Sequence, residues 1–248
     1  MFSDCHCHLR DIADEGIRRA EENGFKILLT AGIDLKSSEQ AVKTATKYRI
    51  VKACVGIHPW NADQYSEDAL RRIKDLASDS EVVAISEIGL DYVGRRNSKG
   101  EYVTEYIDPE IQRTAFREQL KIAKELSLPV LVHDRTPDHE VLDILEEEGI
   151  TGVGAAIHGF SKDKDYAERC TGMGIHLSIG LRPISAPENE ALRQAIRRTP
   201  LKWMLTETDS GNPEGVLTVT EKMAELKGLD RDMVGKTTTQ NLIRLIKL

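Results

Sequence analysis

The strongest constraint on the fold is an alternation that runs the length of the chain. Short apolar runs suited to buried strands recur eight times, separated by segments with helical spacing. The first run is residues 4–9, and the next are 25–31 (FKILLTA), 50–57 (IVKACVGI), 81–86 (EVVAIS) and 129–132 (PVLV). Residues 152–157 (GVGAAI), 175–179 and 201–206 complete the set. A loose helical period through Ile12, Ile17 and Ala20 follows the first run and stops at Asn23-Gly24. Helices are then expected from Ser37-Ser38 to Tyr48, from an N-capping Ser66 to Ala77, and over 109–127, 137–148, 162–171 and 187–198. Two more, over 216–227 and 231–246, follow the last strand.

Parallel strands need crossover connections of about a dozen residues, and strands covered by helices read as nearly continuous apolar runs. Both conditions hold here. The 248 residues match the roughly 250 of a closed (β/α)8 barrel, with a doubly wound open sheet as the alternative. No Pro/Gly/Ser-rich linker divides the chain, so residues 1–248 are expected to form one domain.

Composition excludes several classes. Apolar residues make up 40% and charged residues 30%, an ordinary globular balance. No apolar run approaches the roughly 18 residues of a membrane span, and the start lacks the basic and apolar regions of a signal peptide. Four cysteines in a chain of this length do not make a disulfide framework, and Cys5 and Cys7 are too close on a strand to pair. All four read as reduced in a cytoplasmic protein, with Cys5, Cys7 and Cys54 packed between barrel and helices. The net charge of −7 argues against a large basic face for nucleic acid.

The chemistry starts in the first strand. Alternation puts Asp4, His6 and His8 on one face and Cys5, Cys7 and Leu9 on the other. Two imidazoles and a carboxylate on one face are half of a metal site. His58, Glu87, His133, His158 and Asp209 each follow an apolar strand, and in a parallel barrel such ends open on one rim. Residues spread over two hundred positions are thereby expected to meet. Four imidazoles with two carboxylates exceed the three or four protein ligands of one catalytic zinc. They suit two divalent ions about 4 Å apart that share a carboxylate and lower the pKa of a water between them. Zinc, manganese, iron and magnesium all accept this mixed donor set. Period-two geometry also sets Glu207 beside Asp209 and Asp91 beside Glu87. With Asp4, these carboxylates are expected to orient ligands by hydrogen bonds. Asp209 is a candidate general base. His139 is expected on a helix surface, and His176 has no assignable register.

Six segments carry a resemblance: the DxHxHL of residues 4–9, GIHPW of 56–60, EIGLDY of 87–92, PVLVHDR of 129–135, HGFS of 158–161 and LTETDS of 205–210. In this order they resemble the TatD family of metal-dependent deoxyribonucleases, as does Gln240-Asn241 with its apolar tail. The resemblance implies a barrel in which His6, His8 and Asp209 hold one ion, His133 and His158 hold the other, and Glu87 bridges them. It implies that His58 lines the site and contacts the substrate phosphate or a water. The chain departs from the family pattern after Asp209, where Ser210-Gly211-Asn212-Pro213 runs quickly into the next helix without a basic loop. Between Tyr92 and Asp108 it carries an enlarged loop in which Arg95, Arg96 and Lys99 offer phosphate contacts. Arg135 and Lys162 offer further anion contacts, and Trp60 either stacks on a base or roofs the pocket.

These readings combine into a two-metal hydrolase that trims DNA ends, single-stranded or end-proximal. Glu87, Glu207, Asp209 and His58 are its candidate catalytic residues, and His58 and Arg135 its candidate substrate contacts. A hydrolase of a small amide, lactone or phosphoester on the same centre is the alternative. A metal-loaded binding protein is the third reading, and the clustered carboxylates argue against it.

Overall fold

Eight strands form because eight apolar runs can be covered on both sides, and the computed structural model arranges them as one parallel sheet in sequence order. It describes residues 1–9, 14–94 and 106–248. Ile12 of the expected first helix and the loop cations Arg95, Arg96 and Lys99 lie outside the described residues. The strands are β1 Phe2–Cys7, β2 Phe25–Ala31, β3 Val51–Val55, β4 Val82–Asp91, β5 Val130–Arg135, β6 Ala155–His158, β7 His176–Gly180 and β8 Met204–Glu207. The helices that return the chain are α1 Asp14–Glu22, α2 Leu35–Lys47, α3 Glu67–Ala77, α4 Pro109–Leu126, α5 Glu140–Glu147 and α6 Lys164–Gly172. They continue with α7 Leu181–Ser185, α8 Glu190–Arg198, α9 Gly215–Lys227 and α10 Arg231–Leu245. The arrangement is a (β/α)8 barrel. No helix among the described residues is long and apolar enough to cross a membrane.

The ring closes between β1 and β8 by a mixture of backbone and side-chain bonds. Asp209 N–H donates to the His6 carbonyl (3.0 Å), and His8 N–H donates to the Ser210 carbonyl (3.0 Å). Thr206 Oγ1 donates to the Ser3 carbonyl (2.9 Å). The Asp4 carboxylate accepts Thr208 N–H (3.1 Å), Thr208 Oγ1–H (2.6 Å) and His6 N–H (3.1 Å). Asp4 therefore fastens the backbone of the two flanking strands and does not reach an imidazole, contrary to its expected role.

The core has two layers. Alternate residues such as Leu28, Val132 and Leu177 face the helices, while Leu29, Leu131 and Leu205 fill the barrel. Leu242, Leu245 and Ile246 at the end of the chain join the inner layer and plug the floor. Each such fully buried aliphatic side chain contributes about 1.5–3 kcal/mol. The helices dock by their apolar faces: Ala69, Ile73 and Ala77 of α3 are buried at four-residue spacing, after Ser66 caps the first turn by accepting Ala69 N–H.

Several boundaries differ from those expected. Pairing carries β4, β5, β6 and β8 through Glu87, His133, His158 and Glu207, so these lie on the strands and not beyond them. Residues 137–139 stay outside α5 because Asp134 and Asp138 hold the preceding turn through Thr136 and Glu140 N–H groups. Pro200 is followed by a 3-10 turn over Leu201–Trp203, which delays β8 to Met204. The pairing of β1 with β2 slips between Asp4 and Cys7. That irregularity breaks strict alternation and leaves Cys5 inside the barrel and Cys7 in the outer layer. Cys54 also lies inside, so only Cys7 of the three packs between barrel and helices. All four cysteines are free and buried.

Candidate metal centre

At the carboxyl rim the inward-facing side chains converge on Glu87. Its Oε2 lies 3.4 Å from His6 Nε2 and 4.0 Å from His8 Nε2. Its Oε1 lies 2.8 Å from His133 Nδ1, 3.1 Å from His158 Nε2 and 3.2 Å from His58 Nε2. Asp209 completes the first group, with Oδ1 3.2 Å from His8 Nε2 and 3.9 Å from His6 Nε2. Register explains the second group, since β5 and β6 pair His133 directly with His158. All seven residues singled out for the rim are thus brought together. Asp209 takes a left-handed φ of 50°, a conformation that Asp tolerates better than most residues.

Hydrogen bonds assign the ring nitrogens. His8 Nδ1 donates to the Ala31 carbonyl (3.1 Å), which leaves the Nε2 lone pair facing Glu87 and Asp209. His133 Nε2 donates to Asp91 Oδ2 (3.0 Å), leaving Nδ1 toward Glu87. His158 Nδ1 is buried 3.0 Å from Glu207 Oε1 without the geometry of a hydrogen bond, and its Nε2 faces inward. His58 is the reverse case: its Nδ1 accepts Trp60 N–H (2.9 Å), so its inward Nε2 carries the proton and donates. His6 is fully buried, and neither ring nitrogen finds a hydrogen-bond partner. Leaving a buried polar group unpaired costs about 1–3 kcal/mol, and a cation bound at the free lone pair would remove that cost for one of the two nitrogens. His6 with His8 and Glu87, His6 with His158 and Asp209, and His58 with Glu87 and His133 are each close enough to hold an ion. The tautomer of His58 argues against the third grouping. The donor set, imidazole lone pairs around a shared carboxylate, fits divalent metal.

Electrostatics agree. Burial would raise the Glu87 carboxyl, but His58, His158 and His6 outweigh it and hold it well below the usual range. Burial lowers His58 to about 4 and also lowers His6, so both are neutral near pH 7. Burial opposes charge on His133, His158 and His8 as well, yet their carboxylate neighbours raise all three. Protons therefore sit where a cation would otherwise balance the carboxylates.

The surrounding residues act on these side chains. Asp91 Oδ2 receives His133 Nε2–H and Trp60 Nε1–H (2.9 Å), and Oδ1 receives the N–H groups of Val93 and Gly94 (2.8 Å each). Glu207 accepts Gly159 N–H (2.7 Å) on Oε1 and the Ser178 hydroxyl on Oε2. A cleft of about 370 Å³ opens beside His133, His158 and Asp209, with Arg135 and Arg182 on its walls. The Arg135 guanidinium lies 5.7 Å from the Trp60 ring and 3.7 Å from Asp91. Trp60 is tied to Asp91 through its indole N–H and is not among the residues that line the cleft. Lys162 is not available to an anion as expected: Asp134 (3.2 Å) and the Thr136 carbonyl hold it. His139 is exposed, and His176 lies at the opposite end of its strand from the rim, against Trp203. After Asp209 the chain enters α9 at Gly215, without a long intervening loop.

Three contributors escaped the sequence reading. Gln112 and Gln119 lie seven residues apart on the buried face of α4. Gln119 accepts Ile57 N–H (2.7 Å) and donates to its carbonyl (3.1 Å), and Gln112 does the same for Asp91 (2.7 and 3.0 Å). Each glutamine thus fixes a strand end next to His58 or His133. Two polar residues on an otherwise apolar helix face were the available signal. Arg182 follows a strand end by two residues, the same placement that marked the other rim residues.

A family model described as TatD related DNase matches residues 3–247. An uncharacterized metal-dependent hydrolase of Bacillus subtilis (strain 168), YabD, is 30% identical over 266 residues, covering 100% of both chains. The 3'-5' ssDNA/RNA exonuclease TatD of Shigella flexneri serotype 5b is 29% identical, over 92% of this chain and 90% of its own. The crystal structure of YjjV, a TatD homolog from Escherichia coli K12, superposes with a TM-score of 0.85 at 25% identity, covering 100% of this chain and 98% of that one.

Proposed function

The chain belongs to the TatD-related DNase family of metal-dependent hydrolases, and from that premise we propose that it removes nucleotides from the 3' ends of single-stranded DNA with two divalent cations. The observation that carries this reading is the division of labour on Glu87. One carboxylate oxygen faces His6 and His8, and the other faces His133 and His158. In this reading His6, His8 and Asp209 would hold one cation and His133 and His158 the second, with Glu87 offering a carboxylate oxygen to each group. Zinc, magnesium and manganese all suit the donors. The 3' direction follows the Shigella relative, a 3'-5' ssDNA/RNA exonuclease.

Cations held there would supply positive charge against the phosphoryl oxygens and acidify an attacking water. The protein's own groups do the remainder. Asp209, with 45% of its side chain exposed, is the carboxylate at the mouth that takes the proton of the attacking water. His58 points its Nε2–H inward and donates to a phosphoryl oxygen as charge develops there. Asp91 holds His133 in the tautomer that presents its Nδ1 lone pair, and the Glu207 carboxylate lies 3.0 Å from His158 Nδ1 and favours a proton there. Arg135, on the cleft wall, binds a neighbouring phosphate. Few such contacts are required where only the end of a strand is gripped, which accords with a net charge of −7.

A second reading, hydrolysis of a small amide, lactone or phosphoester, draws support from the same charge and from a cleft of only about 370 Å³. End-labelled single-stranded oligonucleotide with Mg²⁺, Mn²⁺ or Zn²⁺, run beside Glu87→Ala and a panel of small esters and amides, separates the two. Metal-dependent shortening from the 3' end, lost in the variant, is the expected result. Turnover of a small substrate alone would overturn the nuclease reading.

A further inference from the structure

Resting on the nuclease reading, we propose that the cleft has a second compartment for the base adjoining the scissile phosphate, with Tyr106 as the side chain on which that base stacks. A cavity of about 620 Å³ lies directly against the catalytic cleft, and the two share a wall that includes Val93, Asp134 and Arg135. The catalytic side of that wall is lined by histidines and carboxylates. The far side is lined by Tyr92, Tyr106, Pro109 and Pro137.

Three observations point to an aromatic, uncharged occupant. The Tyr92 and Tyr106 rings stand 6.0 Å apart, and the Tyr92 hydroxyl is fixed by Glu140 (2.8 Å) and Arg113 (3.0 Å). Tyr92 and the two prolines are thus held before anything binds, so little of their side-chain entropy is lost on binding. Tyr106 is 47% exposed and Val93 43%, an apolar surface held open to water beside a catalytic cleft. Asp134, the anionic group on the wall, is spent on Lys162, Thr136 and Tyr166. Two cations line the cavity: Lys162, which Asp134 holds, and Arg135, with 40% of its side chain exposed. From the metal centre outward the order is cation site, guanidinium, aromatic pocket. A nucleotide chain presents phosphate and then base in the same order. A small amide or phosphoester without a second ring leaves the outer compartment empty.

The test uses one single-stranded oligonucleotide and versions with a single abasic nucleotide at the first, second or third position from the cleaved end. Each is cut by wild type, Tyr106→Ala and Tyr106→Phe. Base–aromatic stacking is worth enough to change kcat/KM by about 5- to 160-fold. Wild type is expected to lose that factor at one abasic position. Tyr106→Ala should lose it on the intact strand and nothing further at that position, while Tyr106→Phe should behave as wild type. Equal slowing by Tyr106→Ala on every strand, the abasic ones included, would overturn the compartment and leave the nuclease reading standing, as would no slowing at all. If wild type cuts no oligonucleotide but hydrolyses a small ester or amide, the nuclease reading fails and takes the compartment with it.

Discussion

Gly89 offers a direct test of how closely the fold must hold the centre. It lies on β4 opposite His133 of β5, with φ of +141°. A Cβ there would stand 2.0 Å from the His133 carbonyl oxygen. Ordinary carbon–oxygen contact is about 3.3 Å, so Gly89→Ala must part the two strands by roughly 1 Å. Backbone strain at this φ costs about 1–3 kcal/mol, and forced separation in a packed interior about 1–3 kcal/mol more. At a total near 4 kcal/mol, a chain of this size loses about 8–16 °C in Tm. Gly149→Ala is the control: its φ is +63° and no atom lies within 4 Å of the added methyl, so only about 1–2 kcal/mol is lost. Guanidinium unfolding of both variants reads the difference as a shift in midpoint at constant slope. At 20 °C, folded Gly89→Ala should also bind divalent cation more weakly, because the displaced carbonyl belongs to His133, whereas Gly149→Ala should not. Equal midpoints for the two variants would refute the argument that contact with His133 sets the spacing of these strands.

Four further outcomes are expected. Asp91→Asn removes one acceptor from a carboxylate that receives four donors, so cation affinity should fall about 10- to 100-fold by titration calorimetry. Gln119→Leu strands the Ile57 N–H and carbonyl, costing about 1–3 kcal/mol per unpaired group by chemical unfolding. Chelation should lower Tm by roughly 5–11 °C, from about 2.7 kcal/mol of binding at a hundredfold excess over Kd; an unchanged Tm would argue that His6 holds no ion. Burial lowers His176 to about 4 from its ordinary 6.5. The unfolded chain then binds the extra proton between these values, so stability is full above pH 6.5 and falls toward pH 4, by about 3 kcal/mol at most. His176→Phe should flatten that part of the pH–stability curve measured by urea unfolding.

The barrel was legible because an apolar run such as FKILLTA is the direct imprint of a strand covered on two sides, and eight of them leave few arrangements. The rim residues were legible for a related reason. A charged or imidazole side chain straight after such a run has a defined address once the strands are parallel. What stayed hidden depends on the backbone in three dimensions. The slip in β1 between Asp4 and Cys7 turns Cys5 inward and sends Asp4 to the seam, and no side-chain pattern announces it. Ser178 became a partner of Glu207 only when the register of β7 against β8 was known. Arg182 was masked by Pro183, which reads as loop but starts a short helix well enough, since proline is tolerated in a first turn.

The seam between the first and last strands sets a condition on synthesis. His6 and His8 are translated about two hundred residues before Asp209, and they stay without it until the stretch after β8 is made. A nascent chain stopped after α8 has an unclosed sheet, and its β1 and β7 edges carry unsatisfied backbone groups that invite foreign strands. The donor set thus assembles only once β8 and the residues just after it are made, and a chain stopped before that point exposes sheet edges without a finished centre.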